Sequence, residues 1–332
     1  MPRVDKQRIK EIIEREKPRR VGLSAPDGLL GLLPELAEYI ESLNVESVIF
    51  GEPSYGTCDL NVADSQLLNL DIVFNIGHAA AVENIGRVYL IDAQYELETS
   101  QLALQLASYL KKLGDVRPAL FTTSNYRDVT RNLKNDLKEL GIDAILPKSF
   151  PGLFDGQVFG CNYYSLTHAK EANVLIFVGQ SAFHAAGLAL TSEKRTLMAD
   201  PHNNTVEDVS KTAEALYKAA IARIMLAKEA DRIGVIVGLK EGQMFYKKAR
   251  WMYSRLISMG KKPAVLAMRE ITPWKLNAIR GFDAFIEMAC PRIPMTDRGF
   301  DRPVLSYPEG LALLRAMSKK EIGNPYKMPI LY

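Results

Sequence analysis

The sequence predicts an α/β fold of three related small domains, each with a mostly parallel four-stranded sheet flanked by helices, arranged with pseudo-threefold symmetry around a common centre. Three observations lead there. A rhythm of four short apolar runs occurs three times, amphipathic helical patterns lie between most of the runs, and each repeat carries one cysteine.

The chain has 332 residues, 47% hydrophobic and 24% charged, which suits a globular protein with apolar mass for two or three cores. A formal net charge of +3 is small for that length and argues against a nucleic-acid binder or an anionic-membrane binder. The first ten residues carry charges where a secretory signal would need an apolar run, and nothing reaches the roughly 18 apolar residues of a membrane span. A cytoplasmic protein is expected. Three cysteines are too few, and odd in number, for a disulfide framework, so each thiol needs its own explanation.

In the first unit the candidate strands are 20–25, 46–51, 71–76 and 87–92, short apolar runs bounded by turn residues. A helix is expected over 29–43, with Leu29, Leu33, Leu36, Ile40 and Leu43 on one face. Strand, helix, strand is the grammar of a parallel sheet. The second unit repeats it at 117–122, 143–147, 173–178 and 195–200, with a helix over 128–140. The third has runs at 232–237, 263–268, 283–288 and 302–306, and a helical stripe of Phe245, Ala249, Met252, Leu256 and Met259.

The first strands begin at 20, 117 and 232, a domain-sized spacing too long for solenoid repeats of roughly 20 to 50 residues. Asp71-Ile-Val-Phe-Asn-Ile-Gly-His-Ala-Ala and Asn173-Val-Leu-Ile-Phe-Val-Gly-Gln-Ser-Ala share a pattern and the glycine that ends the strand, as duplication would leave. Phe282-Asp-Ala-Phe-Ile-Glu-Met-Ala-Cys is a weaker third copy. Two long helices, 100–113 and 206–230, are expected to join the units, the second opened by a capping box at Thr205 and Asp208. The domains are therefore set at 1–99, 100–204 and 205–332.

Cys58 follows the second strand of its unit, Cys161 the second of its own, and Cys290 the third of the last. All three fall in loops at the carboxyl ends of strands, the edge where open parallel sheets bind ligands. In a ring of three domains they would meet at one point. Structural zinc wants four ligands and usually shows Cys-x-x-Cys pairs, which this sequence lacks. A cubane cluster held by three thiolates leaves one iron free for substrate. The plainer reading makes each cysteine a small buried hydrophobe.

Tyr55-Gly-Thr-Cys-Asp-Leu, Gly156-Gln-Val-Phe-Gly-Cys, Ala289-Cys-Pro-Arg-Ile and Gly238-Leu-Lys-Glu-Gly-Gln together resemble the 2-(3-amino-3-carboxypropyl)histidine synthase family, which performs the first step of diphthamide synthesis. The resemblance spans nearly the whole chain. It implies a [4Fe-4S] cluster on Cys58, Cys161 and Cys290, with S-adenosylmethionine at the unligated iron. It further implies a transferase that breaks the bond from sulfur to the γ-carbon and passes a 3-amino-3-carboxypropyl radical to carbon 2 of a histidine in translation elongation factor 2. A homodimer and an electron donor of unknown identity complete the implied assembly. No Cys-x-x-x-Cys-x-x-Cys stretch is present, so a 5′-deoxyadenosyl radical is not expected.

Candidate substrate contacts follow from position. Backbone amides of the loop holding Lys240, Gly242 and Gln243 could receive a carboxylate, with Lys240 or Gln243 adding a side-chain contact, although a plain connection reads equally well. Ala25-Pro-Asp-Gly-Leu stands in the same place in the first unit. His78, Gln180 and His184 follow third strands, within reach of the centre, where a histidine could touch substrate, assist proton removal or simply be hydrogen-bonded into the structure. Tyr163, Tyr164, Trp251 and Tyr253 are read as packing groups. The charged run at Ser318-Lys-Lys-Glu is read as a solvated face. Rival readings are a quinolinate-synthase-like cluster enzyme acting as a Lewis acid on small carbon substrates, and a non-enzymatic docking scaffold with buried thiols.

Overall fold

The computed structural model describes residues 1–328 and 330–332. In the first sheet Glu46–Ile49, Arg20–Ser24, Ile72–Ile76 and Val88–Ile91 lie side by side in parallel, with Asn84–Ile85 as an antiparallel edge. The third sheet has the same order, with Lys262–Met268, Arg232–Gly238, Ala284–Glu287 and Val304–Leu305 all parallel. In the second, Pro118–Thr122, Val174–Val178 and Arg195–Asp200 run parallel, and Ala119 bridges Ile145 on the outer side. Sequential order 2-1-3-4 thus occurs in the first and third sheets, and in the second a single bridge at Ile145 stands where the outer strand would be, which is the arrangement of a parallel α/β sheet flanked by helices.

A local device also recurs. The residue just before each third strand accepts backbone N–H groups from the start of the first strand. Asp71 accepts from Arg19 and Arg20 at 2.7 and 3.0 Å, Asn173 from Arg117 at 2.7 Å, and Asp283 from Asp231 and Arg232 at 3.0 and 2.8 Å. These clasps fix the register of the two central strands. Gly77 ends the first unit's third strand at φ 86°, and a Cβ there would meet Leu29 at 2.5 Å.

Four sequence expectations need correction. Residues 143–147 do not form a strand: Ile145 exchanges two bonds of 2.8 Å with Pro118 and Leu120, after which the Pro147 carbonyl is taken by Gly156 at 2.7 Å and the chain turns out of the sheet. The helix expected over 29–43 starts as a 3-10 turn, Asp27–Leu32, and becomes α-helical over Leu33–Glu41. The helix expected from 206 begins at Ser210, because Thr205–Asp208 pairs antiparallel with Arg195–Asp200. The Thr205 and Asp208 box is consequently not formed, and Asp208 accepts instead from the Ser210 N–H at 2.9 Å.

Among the described residues six helices lay outside the sequence reading: Lys6–Glu16, Val62–Leu67, Ala182–Ser192, Pro273–Ala278, Arg292–Thr296 and Tyr307–Met317. Lys6–Glu16 is capped by Asp5 and places Ile9, Ile12 and Ile13 in the first core. Tyr307–Met317 opens with a capping box of Ser306 and Glu309 and covers the third sheet. Helix Ser210–Glu229 ties two cores together, with Ala213 and Ala220 in the second and Ile224 and Ala227 in the third. Among the described residues no helix is long and apolar enough to cross a membrane.

Candidate functional site

Cys58 and Cys290 lie in loops after strands Glu46–Ile49 and Ala284–Glu287, as expected, but Cys161 follows no strand of its own: a single bridge from Gln157 to Thr122 brings its segment to the carboxyl end of Pro118–Thr122 instead, and all three thiols are free. Each keeps part of its surface accessible yet is densely surrounded by protein, which describes a recess. The thiols sense one another. Burial pushes Cys161 up to about 12, with the charge of Cys58 adding to it. Cys290 is driven well above the ordinary thiol value by burial, then by Glu287, then by Cys58 and Cys161. Burial also raises Cys58, against a hydrogen bond from Gln243.

Three thiols that oppose one another's ionisation would lose their protons together far more readily around a cation. Among the described residues no three His, Cys, Asp or Glu side chains gather tightly enough for a single metal ion. A cubane binds each thiolate through a different iron and so spreads its ligands wider than one ion does. Three convergent thiols without the spacing of an ion site fit a cluster.

The loop after Arg232–Gly238 grips the Cys58 loop. The Gly242 N–H donates to the Cys58 carbonyl at 2.9 Å, and the Gln243 amide nitrogen lies 3.4 Å from the Cys58 sulfur. Glu241 accepts from the N–H groups of Leu60 and Val62 at 3.3 and 3.0 Å. Lys240 is buried, paired with Asp59 and Glu270 at 2.7 Å each, and lies 4.3 Å from the centre of the Tyr55 ring. Burial disfavours both charges of the Lys240–Asp59 pair. It prevails at Asp59, whose pKa rises, whereas the two carboxylates prevail at Lys240 and raise it too. The loop's polar groups, read from sequence as candidate substrate contacts, are thus turned toward Cys58.

His78 and His184 are both held neutral, burial pushing each down to about 4. Asn75 donates to Ser24 and Ser54 at 3.1 Å each, so its oxygen faces His78 Nδ1 at 3.1 Å and fixes the Nδ1–H form. His184 Nδ1 meets Ser181 Oγ at 2.6 Å, and its ring stacks on Phe177. The charge of Arg292 adds to the lowering of His184, which places the residue two after Cys290 near the histidine. Gln180 donates to Asp200 at 3.2 Å.

Tyr163 is fully buried, as expected for packing, and its hydroxyl has no partner among the described residues. Tyr164 stacks edge-on against Phe150, and Arg250 covers Tyr253. Trp251 departs from the packing expectation: it sits 45% exposed on the outer face of Tyr246–Ser258. A cleft of about 670 Å³ beside Lys6, Glu35, Asp92 and Arg127 contains none of the three cysteines. Asp59, Glu270 and Glu287 were not singled out in the sequence, because Lys240 and Tyr332, their side-chain partners, are distant along the chain, and neither was Arg292, which lies over the distant Tyr55.

A family model described as putative diphthamide synthesis protein matches residues 25–326. A curated relative, the 2-(3-amino-3-carboxypropyl)histidine synthase of Pyrococcus horikoshii, is 28% identical over 97% of this chain and 94% of its own. Subunit 1 of the corresponding synthase from Debaryomyces hansenii is 25% identical over 92% of this chain and 74% of that protein. Among solved structures, Dph2 from Pyrococcus horikoshii with a 4Fe-4S cluster aligns with a TM-score of 0.87 at 26% identity, over 99% of this chain and 95% of that one. With the family model covering the chain from the end of the first strand almost to the last residues, this protein belongs to the family of diphthamide synthesis proteins.

Proposed function

We propose that this chain is a 2-(3-amino-3-carboxypropyl)histidine synthase that holds a [4Fe-4S] cluster on Cys58, Cys161 and Cys290. The observation that carries the reading is the nearness of three thiols from distant loops: the loop after Arg232–Gly238 holds Cys58 through Gly242 and Gln243, a Cβ on Gly238 would lie 3.0 Å from Ala289 beside Cys290, and Cys58 bears on the ionisation of Cys161 as both do on that of Cys290. The names borne by its relatives support it. Held by these three thiolates, the cluster would supply one electron and a site for S-adenosylmethionine, the chemistry needed for cleavage of the bond from sulfur to the γ-carbon with transfer of the 3-amino-3-carboxypropyl group.

The chain's own residues orient and protect. Gln243 donates to the Cys58 sulfur, and Lys240 with Asp59 and Glu270 locks the loop that carries it. Arg292 lies over Tyr55 at 5.4 Å, and its one ion pair among the described residues, with Asp297, is 3.7 Å long, so its charge is available to a substrate carboxylate. His78, neutral and with Nε2 as its acceptor, suits removal of the imidazole C2 proton, the adduct's electron returning to the cluster that would have donated it.

The same reading takes the protein substrate to be translation elongation factor 2 and the active form to be a cytoplasmic homodimer served by a separate electron donor. It divides the chain at 1–99, 100–204 and 205–332 around a pseudo-threefold axis, for which the recurring strand order is the support. The test is anaerobic reconstitution with iron, sulfide and dithionite, followed by mass analysis after adding S-adenosylmethionine, with and without elongation factor 2. Methylthioadenosine is expected; 5′-deoxyadenosine as the main product overturns the proposal.

A further inference from the structure

Residues 330–332 connect two of the three cysteine loops. The Leu331 N–H donates to the Cys161 carbonyl at 2.9 Å, beside an antiparallel bridge from Ile330 to Asn162. One residue on, the Tyr332 hydroxyl donates to Glu287 at 2.5 Å and accepts from the Tyr307 N–H at 3.1 Å. Glu287 is fully buried, and its other oxygen accepts from the N–H groups of Ala289 and Cys290 at 2.6 and 2.8 Å. An unbroken hydrogen-bonded path therefore runs from Cys161 in the second unit, through Leu331, Tyr332 and Glu287, to Cys290 in the third.

The path is anchored at both ends by apolar contact. Leu331 is buried in the second core, while the Tyr332 ring packs against Phe245 and Tyr307 with centroids 5.9 and 6.1 Å apart. Three donors converge on Glu287 and favour its charged form, yet burial outweighs them and pushes the group up to about 8, so these hydrogen bonds hold a carboxyl group that is largely protonated at neutral pH. That convergence fixes the backbone on which Cys290 stands. A rigid inorganic core demands fixed spacing among its ligands, and groups behind the ligands commonly supply it.

We propose that Tyr332 and Glu287 are positioning residues that set the separation of the Cys161 and Cys290 thiols for cluster binding. This rests on the cluster reading above and adds the device that holds two of its ligands apart. Glu287→Gln keeps the path, since its carbonyl still accepts both N–H groups and its amide donates to Tyr332. Glu287→Leu and Tyr332→Phe break it.

The full-length chain and these three variants are reconstituted anaerobically. Iron release to a ferrous chelator and the electron paramagnetic resonance signal of the reduced cluster are then compared, alongside the thermal midpoint of each apo-protein. The expected result is iron release faster by roughly tenfold and an altered signal in Tyr332→Phe and Glu287→Leu, with Glu287→Gln close to wild type. If Glu287→Leu does not fold, Tyr332→Phe, which loses a single oxygen, decides alone. A lowered thermal midpoint with unchanged iron release and signal overturns the inference, because the segment would then be a fastener only. A wild-type chain that takes up no iron and sulfide overturns the cluster reading, and this inference with it.

Discussion

Gly242 lies directly against Cys58: its N–H donates to the Cys58 carbonyl at 2.9 Å, and a Cβ on Gly242 would come within 2.5 Å of the Cys58 Cα. Loops of the third and first sheets thus meet backbone to backbone, a contact only glycine permits. Gly242→Ala should force these loops apart at a cost of about 1–3 kcal/mol, the usual range for overpacking a close contact. Chemical denaturation should show that loss, and the reconstituted variant should hold less iron than wild type. Unchanged stability together with full iron content would show that the loops are free to move apart and that the contact is incidental.

The Gln243 amide, 3.4 Å from the Cys58 sulfur, points a donor at an atom that becomes more negative when a cluster is reduced. Hydrogen bonds to cluster sulfurs stabilise the reduced state and raise the potential. Gln243→Leu should therefore give a cluster with a lower midpoint potential, read by a dye-mediated redox titration. A potential equal to or above that of wild type would mean that the amide does not bear on the cluster.

The fold was legible where burial is continuous. Val174–Val178 is buried at every position, and such uninterrupted apolar runs mark parallel strands whatever the rest of the chain does. Thr205–Asp208 was misread because Val206 fits both a helical stripe and a strand that alternates outward and inward; the turn before it, with Asn204 at φ 53°, decides for the strand. At the site, the cysteines stood out through their glycine and proline neighbours and their one-per-unit placement. Glu287 did not, since its role depends on Tyr332, 45 residues away, and Asp59 depends on Lys240, 181 residues away. No local pattern encodes such pairings.

The Lys240 ammonium is the cation shared by Asp59 and Glu270, with both side chains of the Lys240–Asp59 pair only 8% exposed. Lys240→Met would leave the Asp59 carboxylate buried without its counter-charge, at a cost of about 3–5 kcal/mol. Asp59→Asn added to Lys240→Met removes the stranded charge and should restore much of the lost stability. Urea unfolding of the two variants measures this directly. A double variant no more stable than Lys240→Met would assign the damage to lost packing rather than to the unpaired carboxylate.

His78 and His184 are both pushed down to about 4 by burial, against an ordinary value of 6.5. Between those two values the unfolded chain binds protons that the folded chain refuses, so the stability owed to neutral histidines is complete above pH 6.5 and is lost as pH falls toward 4. His184→Gln cannot titrate, yet its amide can still bond to Ser181, where the imidazole nitrogen sits 2.6 Å from Oγ. Its urea midpoint should consequently fall less than that of wild type between pH 7 and 5, in the metal-free protein at constant ionic strength. Equal falls in the two proteins would mean that His184 takes up its proton in the folded state, and that the recess is wetter than its enclosure by Phe177 and Phe183 indicates.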